Sequence, residues 1–177
     1  DEVYESLAKI APTVVTEGTG INWKQDFLLI AAALGTTEKA EKLMEEYNTK
    51  AKSVGQKAGT EKTFSFLYAS ADRTRIFAKS SFVGSICVDA SLARPAAAQV
   101  EKTSVDLSAE QLDQADADDL FYGVQGGDES KLTKEALWST LKAVTEKHSH
   151  SVDPDMFFLN AGPAAALGIL ETIEKAL

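Results

Sequence analysis

The residues of this 177-residue chain that could do chemistry are scattered, and the first question is whether any stand together. His148 and His150 are two apart, so on a strand they share one face and offer two imidazoles to a metal. They come without a third ligand, and a solvated sheet edge is expected. Asp116, Asp118 and Asp119 crowd one loop, but the EF-hand spacing and its glycine are absent, so they are expected to solvate the approach to a strand. Gly126-Gly127 follows a strand-like run, where phosphate loops occur, yet neither GxGxxG nor GxxxxGK(S/T) is present. No GxSxG elbow frames a serine. Cys87 is the single cysteine, which excludes an internal disulfide and a Cys-based metal cluster; in the apolar run ICVDASL it is expected to pack as a small hydrophobe. No catalytic constellation results.

Binding chemistry is better represented. Arg73 and Arg75 alternate around a turn between two strand-like runs, where a planar guanidinium suits an anionic ligand and a solvated turn arginine is the competing reading. Tyr68 and Tyr122 each stand near the end of a predicted strand, and the carboxyl ends of strands border the ligand crevice of open α/β sheets. The stretch VDPDMFFLNAGP (152–163) sets Phe157 beside Phe158. Two large rings side by side in a turn cannot both enter a core by simple periodicity. One is expected inside, the other lining a pocket.

The elements that must position these residues follow from periodicity and capping. A short helix over 4–10 is followed by Pro12, which forces an extended run over 13–16. Asn22 is placed to cap a helix carrying Trp23, Phe27, Ile30 and Leu34 on one face and ending at Gly35; the next helix buries Ala40, Leu43, Met44, Tyr47 and Ala51. Residues 63–69 and 75–78 read as strand, turn, strand, with Phe64, Phe66 and Tyr68 on one side. Ser81 caps a helix to about Ala90; Ser108 and Gln111 have capping-box spacing; 118–124 is a buried strand; 132–144 is helical; 148–152 alternates as a strand; and 163–177 is a closing helix with Pro near its start. Strands interleaved with helices predict an α/β layer structure with a largely parallel sheet.

Bulk composition narrows the partners. Net charge is −9 and no Lys/Arg cluster exceeds two residues, which argues against a phosphate backbone as partner. No apolar stretch reaches the length of about 18 residues that a membrane span needs. The opening DEVYESLAKIAPTVV reads as mid-protein text rather than a signal peptide, so a mature form or a fragment is expected.

Three segments, WKQDFLLIAAALGTTEKAEKLMEEY (23–47), RIFAKSSFVGSICVDASLARP (75–95) and LWSTLKAVTEKHSHSVDPDMFF (137–158), resemble in order the bacterial substrate-binding proteins that deliver ferric siderophores, heme or cobalamin to ABC importers. YESLAKIAPTVV (4–15) and DLSAEQLDQADADDLFY (106–122) extend the resemblance to nearly the whole chain. It implies a three-layer α/β sandwich, the single C-terminal lobe of a two-lobed, helix-linked binding protein. Residues 1–35 would be the end of the N-lobe linker and the interdomain helix, and 36–177 the lobe itself. The upstream lobe is then expected outside this sequence. The implied role is extracytoplasmic and non-enzymatic: no cofactor, a ferric siderophore as ligand, permease subunits as partners, and membrane contact only through the permease or a lipid anchor outside this chain.

The resemblance also assigns sites. Phe157 stands where hydroxamate-binding members place a Trp facing the cleft, and Phe158 follows it, so both are implied to line the ligand; Tyr68 and Tyr122 sit at cleft-bordering strand ends. Phe82 and Gln125 match positions where catecholate-binding members carry arginines, and their lack of charge favours a ferric hydroxamate. Arg73 or Arg75 supplying a cation keeps citrate- and catecholate-type ligands open. The glutamate that docks such lobes on the permease corresponds to Ser85, so Asp89, one turn later, is the nearest acid for that role. Heme or cobalamin binding, and a small α/β enzyme using His148 or His150, are the alternative readings.

Overall fold

The computed structural model describes residues 2–18 and 20–177. Its centre is a five-stranded sheet in the order β3-β2-β1-β4-β5, formed by β1 (Phe64–Ala69), β2 (Thr74–Phe77), β3 (Ser104–Leu107), β4 (Asp119–Val124) and β5 (Ser149–Ser151). β1 pairs in parallel with β4, and β4 with β5, whereas β2 pairs antiparallel with both β1 and β3. Four strands therefore run one way and β2 alone opposes them.

Strand alternation sorts the side chains into two cores. Phe64, Phe66 and Tyr68 of β1 and Phe121 of β4 face one layer, which is built by α2 (Trp23–Ala33), α3 (Thr37–Ala58), α4 (Phe82–Asp89) and α7 (Pro163–Ala176). Leu67 and Ala69 of β1, Ile76 of β2, and Leu120, Tyr122 and Val124 of β4 face the other. There Leu112, Leu132, Trp138 and Leu141 come from short helical turns, including α5 (Ser130–Thr133) and α6 (Lys142–Thr145). The expected three-layer sandwich is thus observed. Each fully buried Phe or Leu in these cores contributes about 1.5–3 kcal/mol by leaving water.

α3 buries Ala40, Met44, Tyr47, Ala51 and Val54, a stripe of alternating three- and four-residue steps. Ser81 caps α4 as expected, its Oγ accepting the Gly84 N–H at 2.9 Å. Asn22 occupies the cap position of α2 but its side chain turns away to donate to Glu17. On α2 the expected apolar face is buried only at its start: Trp23 is covered while Ile30 and Leu34 are exposed. Ahead of it, α1 (Glu2–Ala8) buries no residue.

Residues 13–16 carry no regular secondary structure, and two departures from expectation stand out. The continuous helix over 132–144 is broken into α5, a 3-10 turn at Trp138–Thr140, and α6. The cause is tertiary: Asp116, from the loop before β4, accepts the backbone N–H groups of Lys142 and Ala143 and starts α6 anew. Finally, β3 is a strand that the sequence did not announce, a four-residue edge with mixed burial.

Candidate functional site

The carboxyl ends of β1, β4 and β5 lie together, and β2 begins there because a tight hairpin reverses the chain. Its tip is closed by the Ser70 N–H donating to the Arg73 carbonyl at 2.8 Å. Register then builds one row on one sheet face: Arg75 of β2 opposite Tyr68 of β1, and Tyr68 opposite Gly123 of β4. The Arg75 guanidinium lies 5.9 Å from the centroid of the Tyr68 ring. Among the described residues its buried Nε finds no hydrogen-bond partner.

The ring that closes this row is Phe158. It lies 5.4 Å from Tyr68 and 4.9 Å from Phe77, centroid to centroid, and is half-buried. Gly123 makes room for it. A Cβ there would come within 2.9 Å of Phe158 Cε2 and within 3.2 Å of Pro154 Cα, so only glycine lets the ring lie on the sheet.

Phe157 has the opposite fate. It is fully buried, with ring centroids 6.2 Å from both Phe66 and Phe121. A π-helical turn, Asp155–Leu159, closed by Asn160 N–H donating to the Asp155 carbonyl at 2.8 Å, splits the neighbours. It sends Phe157 into the core and Phe158 over the strand ends. Against the expectation that both rings line the ligand, Phe157 belongs to the core, and Phe158 is the one left at the strand ends.

Tyr122 is on the other sheet face from Tyr68, one residue out of phase. Its ring packs edge-on against Trp138 at 4.9 Å, and its hydroxyl donates to Glu129 at 3.1 Å; burial and that carboxylate push the phenol pKa up. It is a member of the second core rather than part of the row. Gln125 is exposed just past β4, and Arg73 is exposed at the hairpin tip, 3.9 Å from Asp72. Both stand at the rim formed by the strand ends.

Phe82 is corrected to a packing residue. It is buried and meets Trp23 of α2 edge-on at 5.3 Å, while Ser85, one turn on, accepts the Trp23 indole N–H at 3.0 Å. Asp89 is likewise engaged: it accepts Lys24 Nζ at 2.6 and 2.8 Å and the Tyr47 hydroxyl, tying α4 to α2 and α3. Burial first, then the Asp89 carboxylate, drives the Tyr47 pKa far up. Asp89 remains part-exposed within this network.

The histidine pair divides too. His148 is exposed, whereas His150 stacks on Phe121 at 4.7 Å, with its Nε2 2.9 Å from Asp119. Asp119 is fully buried and also pairs with Lys62 at 2.6 Å. Among the described residues no group of three or more His, Cys, Asp or Glu could hold a metal ion.

Two members of the site escaped sequence reasoning. Phe77 ends β2, where its ring reaches Phe158. Gly123 carried a readable signal, since a glycine inside an otherwise apolar strand marks a close approach. The assembled surface is an aromatic shelf of Tyr68, Phe77 and Phe158 with one guanidinium at its edge. Such a surface binds an apolar or anionic ligand through contact area and charge, and no nucleophile stands beside a base on it.

Residues 1–156 match the family model described as periplasmic binding protein. Among curated relatives, the probable siderophore-binding lipoprotein YfiY of Bacillus subtilis is 31% identical over 98% of this chain and 59% of its own length. The iron(3+)-hydroxamate-binding protein FhuD of the same organism is 28% identical over 98% of this chain and 58% of its own. The chain therefore spans just under three fifths of the length of these relatives. Among solved structures, Staphylococcus aureus SirA complexed with staphyloferrin B superposes with a TM-score of 0.82 at 26% identity, covering 99% of this chain and 67% of that one. The aromatic shelf at the carboxyl ends of an α/β sheet is thus carried by a chain that belongs to the periplasmic binding protein family.

Proposed function

We propose that this chain is the C-terminal lobe of an extracytoplasmic solute-binding protein that takes up a ferric siderophore and hands it to an ABC importer. Binding and release are its whole function, and no chemistry is performed. Residues 1–35 would lead from the upstream lobe through α2, and residues 36–177 form the lobe whose shelf lines one wall of the cleft. The observation that carries this reading is the row Arg75–Tyr68–Gly123 covered by Phe158. It offers ring faces for the apolar linkers of a chelate at little entropic cost. Named relatives that bind siderophores support the ligand class.

A hydroxamate chelate is the leading ligand, supported by the uncharged Gln125 at the rim and by the hydroxamate-binding relative. One observation favours a second reading. Arg75 has a buried Nε without a partner, which suits a carboxylate or catecholate group on the ligand. Titration of the two-lobed protein with ferric hydroxamate, ferric catecholate, ferric citrate, heme and cobalamin, followed by intrinsic fluorescence, separates these. Saturable micromolar or tighter binding of one iron chelate is expected; no response to any of them would overturn the proposed function. Under the hydroxamate reading Arg75→Gln changes affinity by less than threefold, and under the anionic reading by tenfold or more.

The permease remains the proposed partner, with Asp89, part-exposed and paired with Lys24, as the nearest acid proposed for docking. Membrane contact through the permease, or through a lipid anchor upstream, completes the proposal.

A further inference from the structure

At the amino end of β1, away from the shelf, a guanidinium is buried with its charge uncompensated. Arg94 is 9% exposed. Its Nε donates to the Phe64 carbonyl at 2.8 Å and its Nη2 to the Phe77 carbonyl at 2.7 Å, strapping β1 to β2. Its Cζ lies 5.0 Å from the Phe66 ring centroid, and the Cys87 thiol stands beside it. These contacts call for a donor but not for a cation. Among the described residues no carboxylate forms a salt bridge with Arg94. Buried charges are as a rule paired.

The unpaired side opens on a cavity. A space of about 240 Å³ is lined by Arg94, Cys87, Lys79, Gln99, Val88 and Ala98 among others, with no Asp or Glu in its wall. That wall is basic in a chain of net charge −9. Lys79 is half-exposed at the wall and pairs with Glu101, so it screens the mouth while Arg94 supplies the buried charge. The two carbonyls occupy one edge of the guanidinium, which leaves the other edge for a planar anion in the two-pronged geometry that carboxylates favour. The volume lies below the roughly 300–1,000 Å³ typical of drug-sized ligands, so the occupant has only a few carbons.

We propose that this cavity is a second binding site, for a small carboxylate anion held by the free edge of Arg94 between α4 and the 96–99 turn. Phe77 gives its carbonyl to the strap and its ring to the shelf, but the site does not rest on the siderophore reading. Its occupancy would neutralise the strap that joins β1 to β2.

The probe is trifluoroacetate, followed by ¹⁹F line broadening on the full-length protein, with acetate and inorganic phosphate as competitors at constant ionic strength. Saturable broadening at millimolar or lower concentration is expected, reversed by acetate, at least tenfold weaker in Arg94→Gln and unchanged in Arg75→Gln. If Arg94→Gln fails to fold, Val88→Trp serves instead: Val88 is exposed, and a larger ring there closes the mouth without touching the core. Absence of saturable broadening, its persistence in Val88→Trp, or stronger displacement by phosphate than by acetate would each overturn the proposal.

Discussion

Adjacent phenylalanines with opposite surroundings make a sharp test. Phe157→Ala removes a ring with no exposed surface, packed against the stacked pair Phe66 and Phe121. Such truncations cost about 3–5 kcal/mol through lost transfer energy and the cavity left behind. For a domain of this size each kcal/mol moves the melting point by about 2–4 °C, so a fall of roughly 6–20 °C is expected. Phe158→Ala removes a half-buried ring, for which roughly 1 kcal/mol of stability is expected. Its effect should appear instead in binding: an aromatic anchor at a contact contributes about 1.4–2.8 kcal/mol, a ten- to hundredfold change in Kd. The assay pairs a thermal melt with a fluorescence titration of ferric hydroxamate on the two-lobed protein. If Phe158→Ala kept its affinity within twofold, the shelf would not be the ligand wall. If Phe157→Ala melted like the parent, the core placement of that ring would be wrong.

Gly123→Ala should displace Phe158 from the sheet, because the added methyl meets both the ring and the Pro154 backbone; a loss of about 1–3 kcal/mol and a reduced siderophore affinity are expected by denaturant melt and titration. Asp89→Ala leaves Lys24 and Tyr47 without their shared acceptor, and about 1–3 kcal/mol of stability should go with it, read by chemical denaturation. Glu174 of α7 bridges Lys50 and Lys57 of α3, and these two ammonium groups hold its pKa down to about 2. Its unfolded value is higher, so the unfolded chain binds more protons between the two values. The contribution is complete above about pH 4.5 and is lost as pH falls toward 2. Glu174→Gln should therefore flatten that part of the acid limb in a pH series of melts.

Regular alternation made β1 and β4 legible, since Phe64, Phe66 and Tyr68 can serve only one face and the run around Leu120 can be only interior. Ser81 announced α4 through its own hydroxyl. What failed to show was set by partners distant in sequence. Asp116 restarts a helix that its own residues would have continued, and Trp23 claims Phe82 and Ser85 for packing. Likewise Lys24 and Tyr47 draw Asp89 into a link between helices. At 155–159 the helix widens by one residue per turn, and no apolar spacing reveals which of two adjacent rings such a turn sends inward. Tyr122 was misplaced for a simpler reason: strand parity puts it out of phase with Tyr68, and end-of-strand position alone ignores parity.

Because β2 opposes its neighbours, the strand before it returns through a hairpin rather than a crossover, and that hairpin overhangs the rim. A crossover has its length fixed by the helix it carries, whereas among the described residues the polar contacts of the 70–73 tip stay within the hairpin itself. Lengthening a flexible loop is inexpensive, on the order of 0.6 kcal/mol for each doubling. Descendants of this chain can therefore reshape the rim by insertions at the tip while Tyr68, Arg75 and Gly123 keep their register. The reversed strand separates the part of the lobe that can drift from the part that must stay.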